Sequence, residues 1–240
     1  MNIYLVMRVP TGIGPIDGLV EGGLPEGSTV MVIGQPGTGK TSACRDFICD
    51  GLARGEPCVY ISTSASPEEI FSCRADRGLK DKGSLLVVDA YSWRSKTMKE
   101  QEGVLSVPSL TDLHEFNAII SKAMSKLGIE GKRGRIVFDS FSDVLMYGEK
   151  QSVYQFVQLF VSKVRDLSSV SLLAVEEGLH EPRDIATLNY ITDGTVAMRV
   201  EGEKRLVQVP RMKNTVHTLE SREFSIKAGK ISGSPQQKRV

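Results

Sequence analysis

Residues Gly34, Gln35, Pro36, Gly37, Thr38, Gly39, Lys40 and Thr41 carry the spacing G-x-x-x-x-G-K-[ST] in full. A loop of this kind holds phosphate. Its glycines let successive backbone N–H groups turn inward around phosphate oxygens. The helix that follows adds the positive end of its dipole. Lys40 is then placed to reach β- and γ-phosphates, and the Thr41 hydroxyl to hold Mg²⁺. Ser42 continues the same turn. The expected ligand is ATP with Mg²⁺.

Such a loop needs a partner carboxylate for the metal, delivered by the end of a neighbouring strand. Asp139, after Ile136-Val137-Phe138, fits that part, with Ser140 beside it. Asp89 ends a similar run, Leu85-Leu86-Val87-Val88, and is the rival, but reads better as a strand-end residue that caps a neighbouring helix.

The elements that would position these groups are visible as apolar runs. Thr29–Ile33, Cys58–Ile61, Leu85–Val88, Ile136–Asp139 and Ser171–Val175 read as strands buried on both faces. Helical spacing predicts a helix from Thr41 to Arg54, another from about Ser109 to Leu127, and a third through Val153, Phe156, Val157, Phe160, Val164 and Leu167. Ser66-Pro67-Glu68-Glu69 reads as a capping box that opens a further helix ending near Gly78. Strands alternating with helices imply a mostly parallel sheet covered by helices. Thr195–Val200, Arg205–Val209 and Glu223–Lys227 read as antiparallel strands at one edge. Residues 91–108 read as a long surface loop in which Tyr91 and Trp93 contact a partner or dock on the chain itself. One domain, 1–228, followed by a flexible basic tail, 229–240, is the expected organisation.

Composition narrows the class. The chain has 240 residues, 40% hydrophobic and 25% charged, with a formal net charge of +1. That balance gives no electrostatic drive toward nucleic acid or acidic membrane. No apolar run approaches the ~20 residues that span a bilayer, and Ile3–Met7 is too short for a signal-peptide core. A cytoplasmic location is the expectation. Cys44, Cys49, Cys58 and Cys73 lack metal-site spacing and read as reduced thiols.

The segments around the loop extend the pattern. Thr11-Gly12-Ile13-Gly14-Pro15-Ile16-Asp17 and Gly22-Gly23-Leu24-Pro25-Glu26-Gly27 precede it; Ile191-Thr192-Asp193-Gly194 and Arg211-Met212-Lys213-Asn214-Thr215-Val216-His217 come late. Together they resemble the single-domain, archaeal and bacterial KaiC-like branch of RecA-type ATPases, over roughly residues 9–227. The resemblance implies a RecA-like P-loop core, ATP held between subunits of a homo-oligomeric ring, often a hexamer, and a late K-x-R-G-T-x-H segment whose basic residues reach a neighbour's phosphates. Arg211, Lys213 and His217 occupy those positions, with the two cations exchanged in type and Asn214 at the glycine position.

One position departs from that pattern. The family carries two adjacent glutamates after its second strand, where they polarise the attacking water. Ser64 and Ala65 stand there instead. Serine is a poor base at neutral pH. Glu68 and Glu69 fall in a helix's first turn, whereas Glu176 and Glu177 end the strand expected beside Asp139. The expected function is a nucleotide-dependent assembly switch acting on a protein partner, with weak or absent hydrolysis. The alternatives are a slow ATPase using Glu176 or Glu177, and a DNA-binding recombination accessory resembling RadA paralogues. Lys227, Lys230, Lys238 and Arg239 favour the last weakly. A phosphotransferase reading is weaker still, since nothing marks an acceptor.

Overall fold

Apolar runs too short for helices and rich in β-branched residues assemble into one sheet. The computed structural model of the chain describes residues 7–75, 84–95, 100–129 and 132–233. The strands are β1 (Arg8–Val9), β2 (Leu24–Pro25), β3 (Thr29–Gly34), β4 (Cys58–Ser62), β5 (Leu85–Asp89), β6 (Val104–Ser106), β7 (Arg135–Asp139), β8 (Val170–Glu176), β9 (Gly194–Glu201), β10 (Lys204–Met212), β11 (Arg222–Lys227) and β12 (Lys230–Gly233). The helices are α1 (Gly14–Asp17), α2 (Lys40–Ala53), α3 (Pro67–Ala75), α4 (Leu113–Lys126), α5 (Phe141–Tyr147), α6 (Lys150–Asp166) and α7 (Pro182–Ile191).

Ten strands form the main sheet in the order β12-β11-β10-β9-β3-β8-β7-β4-β5-β6. Strands β9 through β6 in that order are parallel, and β10, β11 and β12 add antiparallel pairs at one edge. Strand β9 is therefore interior, joined parallel to β3 as well as antiparallel to β10. β1 and β2 make a separate antiparallel pair.

Alternation along each strand splits the core into two layers, as the period of two requires. Val30, Val32, Tyr60, Val87, Val137 and Leu172 meet α2 through Ala43, Cys44, Phe47 and Ile48. Met31, Val59, Ile61, Val88, Phe138 and Leu173 meet α4, α5 and α6 through Phe116, Ile120, Phe141, Phe156 and Phe160. Among the described residues no helix is long and apolar enough to cross a membrane. Cys44, Cys49 and Cys58 are buried and in no disulfide, and burial pushes Cys58 up to about 12. They are unreactive packing groups, as their contexts imply. The side chain of Cys73 and the predicted helix end near Gly78 lie outside the described residues.

Three local expectations change. Residues 91–108 are not simply a loop: Ser92–Ser95 form a 3₁₀ turn and β6 extends the sheet parallel to β5. A three-residue edge strand is below the length at which periodicity shows. Trp93 packs edge-on against Tyr147 of the same chain, with ring centroids 5.6 Å apart. The sheet also continues past Gly229. That glycine turns the β11–β12 hairpin at φ 72°, and Ile231 donates its N–H to Asp46 of α2 at 2.7 Å while burying its side chain. Finally, α4 starts at Leu113 rather than Ser109, because the Asp112 carboxylate takes the Glu115 N–H and caps it there.

One buried charge ties α2 to the sheet. Arg135, at the start of β7, is fully buried. Its guanidinium donates to Glu56 at 2.5 Å, to Asp50 at 2.8 Å and to the Phe47 carbonyl at 2.8 Å, and lies 4.8 Å from the Phe47 ring centroid. Gly51 makes room for it, since a Cβ there would sit 2.5 Å from the arginine Cδ. Burial alone would raise the Asp50 carboxyl, but Arg54 and Arg135 outweigh it and hold it below 3.8. That contribution is complete above the ordinary aspartate value and is lost as pH falls through the depressed one. Arg135→Met should remove the buried partner of two carboxylates, which keep Arg54 and Arg133, and lower stability by about 1–3 kcal/mol. Urea unfolding at neutral pH checks the loss, and acidifying toward the carboxylate range should narrow the gap between variant and native chain.

Candidate functional site

The parallel sheet delivers four strand ends to one edge. In the order β3, β8, β7, β4 these ends carry Gly34, Glu176, Asp139 and Ser62. The register pairs Gly34 with Glu176 and Ser62 with Asp139. A crest of this kind, beyond the carboxyl ends of parallel strands, is where open α/β sheets bind ligands.

The loop from β3 into α2 has the form that its glycines require. Gly37 and Gly39 take φ values of 81° and 109°. No heavy atom lies within 4 Å of the position a Cβ would take on Gly37, so its surroundings stay open. Gln35, Pro36 and Gly37 are exposed, while Thr38 is buried and bonds the Gln35 carbonyl at 2.8 Å. Lys40 opens α2 and is only 5% exposed. Its ammonium donates to the Gly34 carbonyl at 2.8 Å, the Gln35 carbonyl at 2.9 Å and the Glu176 carboxylate at 2.8 Å. Thr41 and Ser42 follow in the first turn, both half-buried.

Thr41 Oγ1 lies 3.3 Å from Asp139 Oδ1, and the Tyr60 hydroxyl donates to Asp139 Oδ2 at 2.7 Å. Burial raises the Asp139 carboxyl, and the bonds from Tyr60 and Thr41 only partly offset this. A hydroxyl and a buried carboxylate side by side form a hard oxygen donor set. That set suits Mg²⁺, which takes one or two protein oxygens and completes its shell with water and phosphate. Asp89, the rival carboxylate, instead accepts the N–H groups of Tyr91 and Ser92, both at 3.0 Å. Ser140 is likewise a cap: its hydroxyl accepts the Ser142 N–H, and the Asp139–Ser140 peptide is cis.

Ser64 and Ala65 differ in orientation. Ser64 is exposed at the crest and bonds the Asp139 carbonyl at 3.3 Å. Ala65 is 6% exposed and belongs to the core beneath α2. Only the first of the two positions faces the site. Glu69 is engaged elsewhere, with its N–H on Ser66 at 3.3 Å and its carboxylate on Arg45. Glu177 is exposed and donates its backbone N–H to Gly34, leaving Glu176 as the strand-end carboxylate nearest Lys40.

The late basic residues lie at the other end of the sheet. Arg211 pairs with Thr195, which pairs with Met31, and the Lys213 N–H meets the carbonyl of Asp193 beside Thr29. Thr29 is five positions before Gly34, so Lys213 stands roughly 15 Å back along the strand. Arg211 donates to the Thr192 carbonyl at 2.5 Å, Lys213 pairs with Asp193 at 3.2 Å, and His217 contacts the Thr215 carbonyl. Asn214 takes φ 54°, in the left-handed region that asparagine enters more readily than most residues. Neither cation reaches the phosphate loop of its own chain.

Two neighbours of the site carried no sequence signal. Ser142, in the first turn of α5, accepts the Glu176 N–H at 2.8 Å, and His180 Nε2 lies 2.8 Å from the same hydroxyl. Both are isolated residues in segments without a motif, joined only by the adjacency of β7 and β8.

Comparison with known proteins agrees with this fold. A family model described as "ATPase: KaiC" matches residues 9–238. A UPF0273 protein of Methanopyrus kandleri is 30% identical, covering 97% of this chain and 94% of its own. One from Pyrococcus horikoshii is 28% identical over 92% of both chains. The circadian clock oscillator protein KaiC of Thermostichus vulcanus is 27% identical over 93% of this chain and 43% of its own length. The crystal structure of a KaiC-like protein from Pyrococcus horikoshii shares the fold, with a TM-score of 0.75 at 22% identity over 96% of this chain and all of that one.

Asp139→Asn removes the buried carboxylate charge beside Thr41 and leaves the glycine-rich loop intact. It should erase most of the difference between nucleotide affinity in Mg²⁺ and in EDTA, while metal-free affinity changes by less than about threefold. Calorimetric titration under both conditions measures the two.

Proposed function

Because the chain belongs to the KaiC ATPase family, we propose that it binds Mg²⁺–ATP at the crest and works as a nucleotide-dependent assembly switch with weak or absent hydrolysis. The observation that carries this reading is the contrast within one site. Lys40, Thr41 and Asp139 converge, while the exposed position facing them is Ser64 rather than a glutamate. Residues Gly34 to Ser42 would hold the phosphates, with Thr41 and Asp139 on the metal side. The metal would screen phosphate charge. Serine cannot accept the proton of an attacking water at neutral pH.

The placement of Arg211 and Lys213 supports nucleotide shared between subunits. Cations that cannot reach their own chain's loop gain a role if a second copy presents its loop to them. Arg211 offers the forked donor set that grips phosphate, and Lys213 adds a point charge. A homo-oligomeric ring, hexameric as in the reading above, meets that geometry, and the assembled ring would then act on a protein partner.

A slow ATPase using Glu176 is the second reading, favoured by the 2.8 Å approach of its carboxylate to Lys40. Phosphate release separates the two.

Size-exclusion with light scattering in ATP, in ADP and without nucleotide should show an oligomer that depends on ATP. Phosphate release from the same samples should stay at least about 100-fold below the ~10 s⁻¹ typical of enzymes. Ser64→Glu alone should raise it by about 100-fold. Ala65→Glu should mainly destabilise the chain, because that position is buried. Turnover at ordinary enzyme rates that Lys40→Ala abolishes, or a monomer under all three conditions, would sink the switch reading.

A further inference from the structure

Lys40 has three ammonium protons and three acceptors, all from its own chain. Two acceptors are carbonyls of the loop itself. The third is a carboxylate, Glu176, from a different strand. A phosphate oxygen can bond Lys40 only by displacing one of these. The carbonyls are fixed by the loop backbone, whereas the Glu176 side chain is 27% exposed and free to turn outward. It is also the acceptor that a phosphate would repel, because both are anions. We infer that Glu176 is a built-in competitor of the terminal phosphate of ATP for Lys40, holding the ammonium until that phosphate displaces it. The inference rests on the reading of the crest as an ATP site and adds to it how the site reports its occupant.

The departure has a route outward. The Glu176 N–H and His180 Nε2 both meet the Ser142 hydroxyl, each at 2.8 Å. That hydroxyl accepts from the backbone N–H and shares a second hydrogen bond with the imidazole. Burial lowers the His180 pKa, against the charges of Asp184 and Glu176, which favours the uncharged ring. One buried hydroxyl thus joins the end of β8, the first turn of α5 and the segment leading into α7. Gly178 gives that segment a left-handed turn at φ 81°, and Leu179 beyond it is 53% exposed. At its far end α5 carries Tyr147, which packs on Trp93, the sole tryptophan of the chain. A shift of Glu176 is therefore passed to an exposed apolar residue on one side and to a natural fluorophore on the other.

Glu176→Gln preserves size and removes the charge. The full chain and this variant are titrated with the imido analogue of ATP and with ADP, both in Mg²⁺, by calorimetry and by Trp93 emission. The variant should bind the analogue about 10-fold more tightly than the native chain, with a smaller gain for ADP. Ser142→Ala should keep analogue affinity within about twofold of native but lose most of the Trp93 response that the analogue produces over ADP. Equal analogue affinities in the native and Glu176→Gln chains, or a gain at least as large for ADP, would overturn the inference and leave the ATP site standing. No binding of either nucleotide to either chain would overturn the site and the inference together.

Discussion

A buried ammonium at the end of a buried sheet is the constraint on which the site is built. Lys40 is almost entirely removed from water, and a charge so placed must be surrounded by acceptors. The fold meets that demand from two directions. Adjacent strands β3 and β8 bring the Gly34 carbonyl and the Glu176 carboxylate to one level, and the loop folds the Gln35 carbonyl over them. The arrangement that places these acceptors also fixes the ammonium at the crest of the sheet.

Two sheet ends then carry two kinds of chemistry. At the carboxyl ends of the parallel strands stand Lys40, Thr41, Asp139 and Ser64. At the opposite end Asp193 accepts the Thr29 N–H and gathers Arg165 and Lys213, while Arg211 holds the Thr192 carbonyl. A rigid sheet keeps these groups apart within one chain. Their cooperation in a single site would need a second chain.

Stability and function draw on neighbouring parts of α2. Its first turn holds Lys40 and Thr41 at the crest, while its last turns are fastened to β7 by Arg135. Fixing the far end of the helix fixes the direction of its N-terminus, where the dipole and Lys40 act. Arg135 begins an apolar strand and carried no motif, so its role was invisible until Glu56, Asp50 and Phe47 were seen around it. The edge strands β6 and β12 were hidden for another reason. Each is so short that pairing with a neighbour, not its own pattern, makes it a strand.

The residues of the phosphate loop, the strand-end Asp139 and the alternation of apolar runs with helical ones were legible because each is a local pattern. A glycine spacing, a period of two and a period of 3.6 are carried by consecutive residues. The same holds for the departure at Ser64 and Ala65, which is a fact of sequence. Which of those two faces the site, which glutamate meets Lys40, and that Ser142 and His180 meet at the end of its strand are facts of another kind. They depend on which strands lie side by side and in what register, which long-range packing decides. Local chemistry thus named the ligand class, and the tertiary structure chose the residues that answer to it.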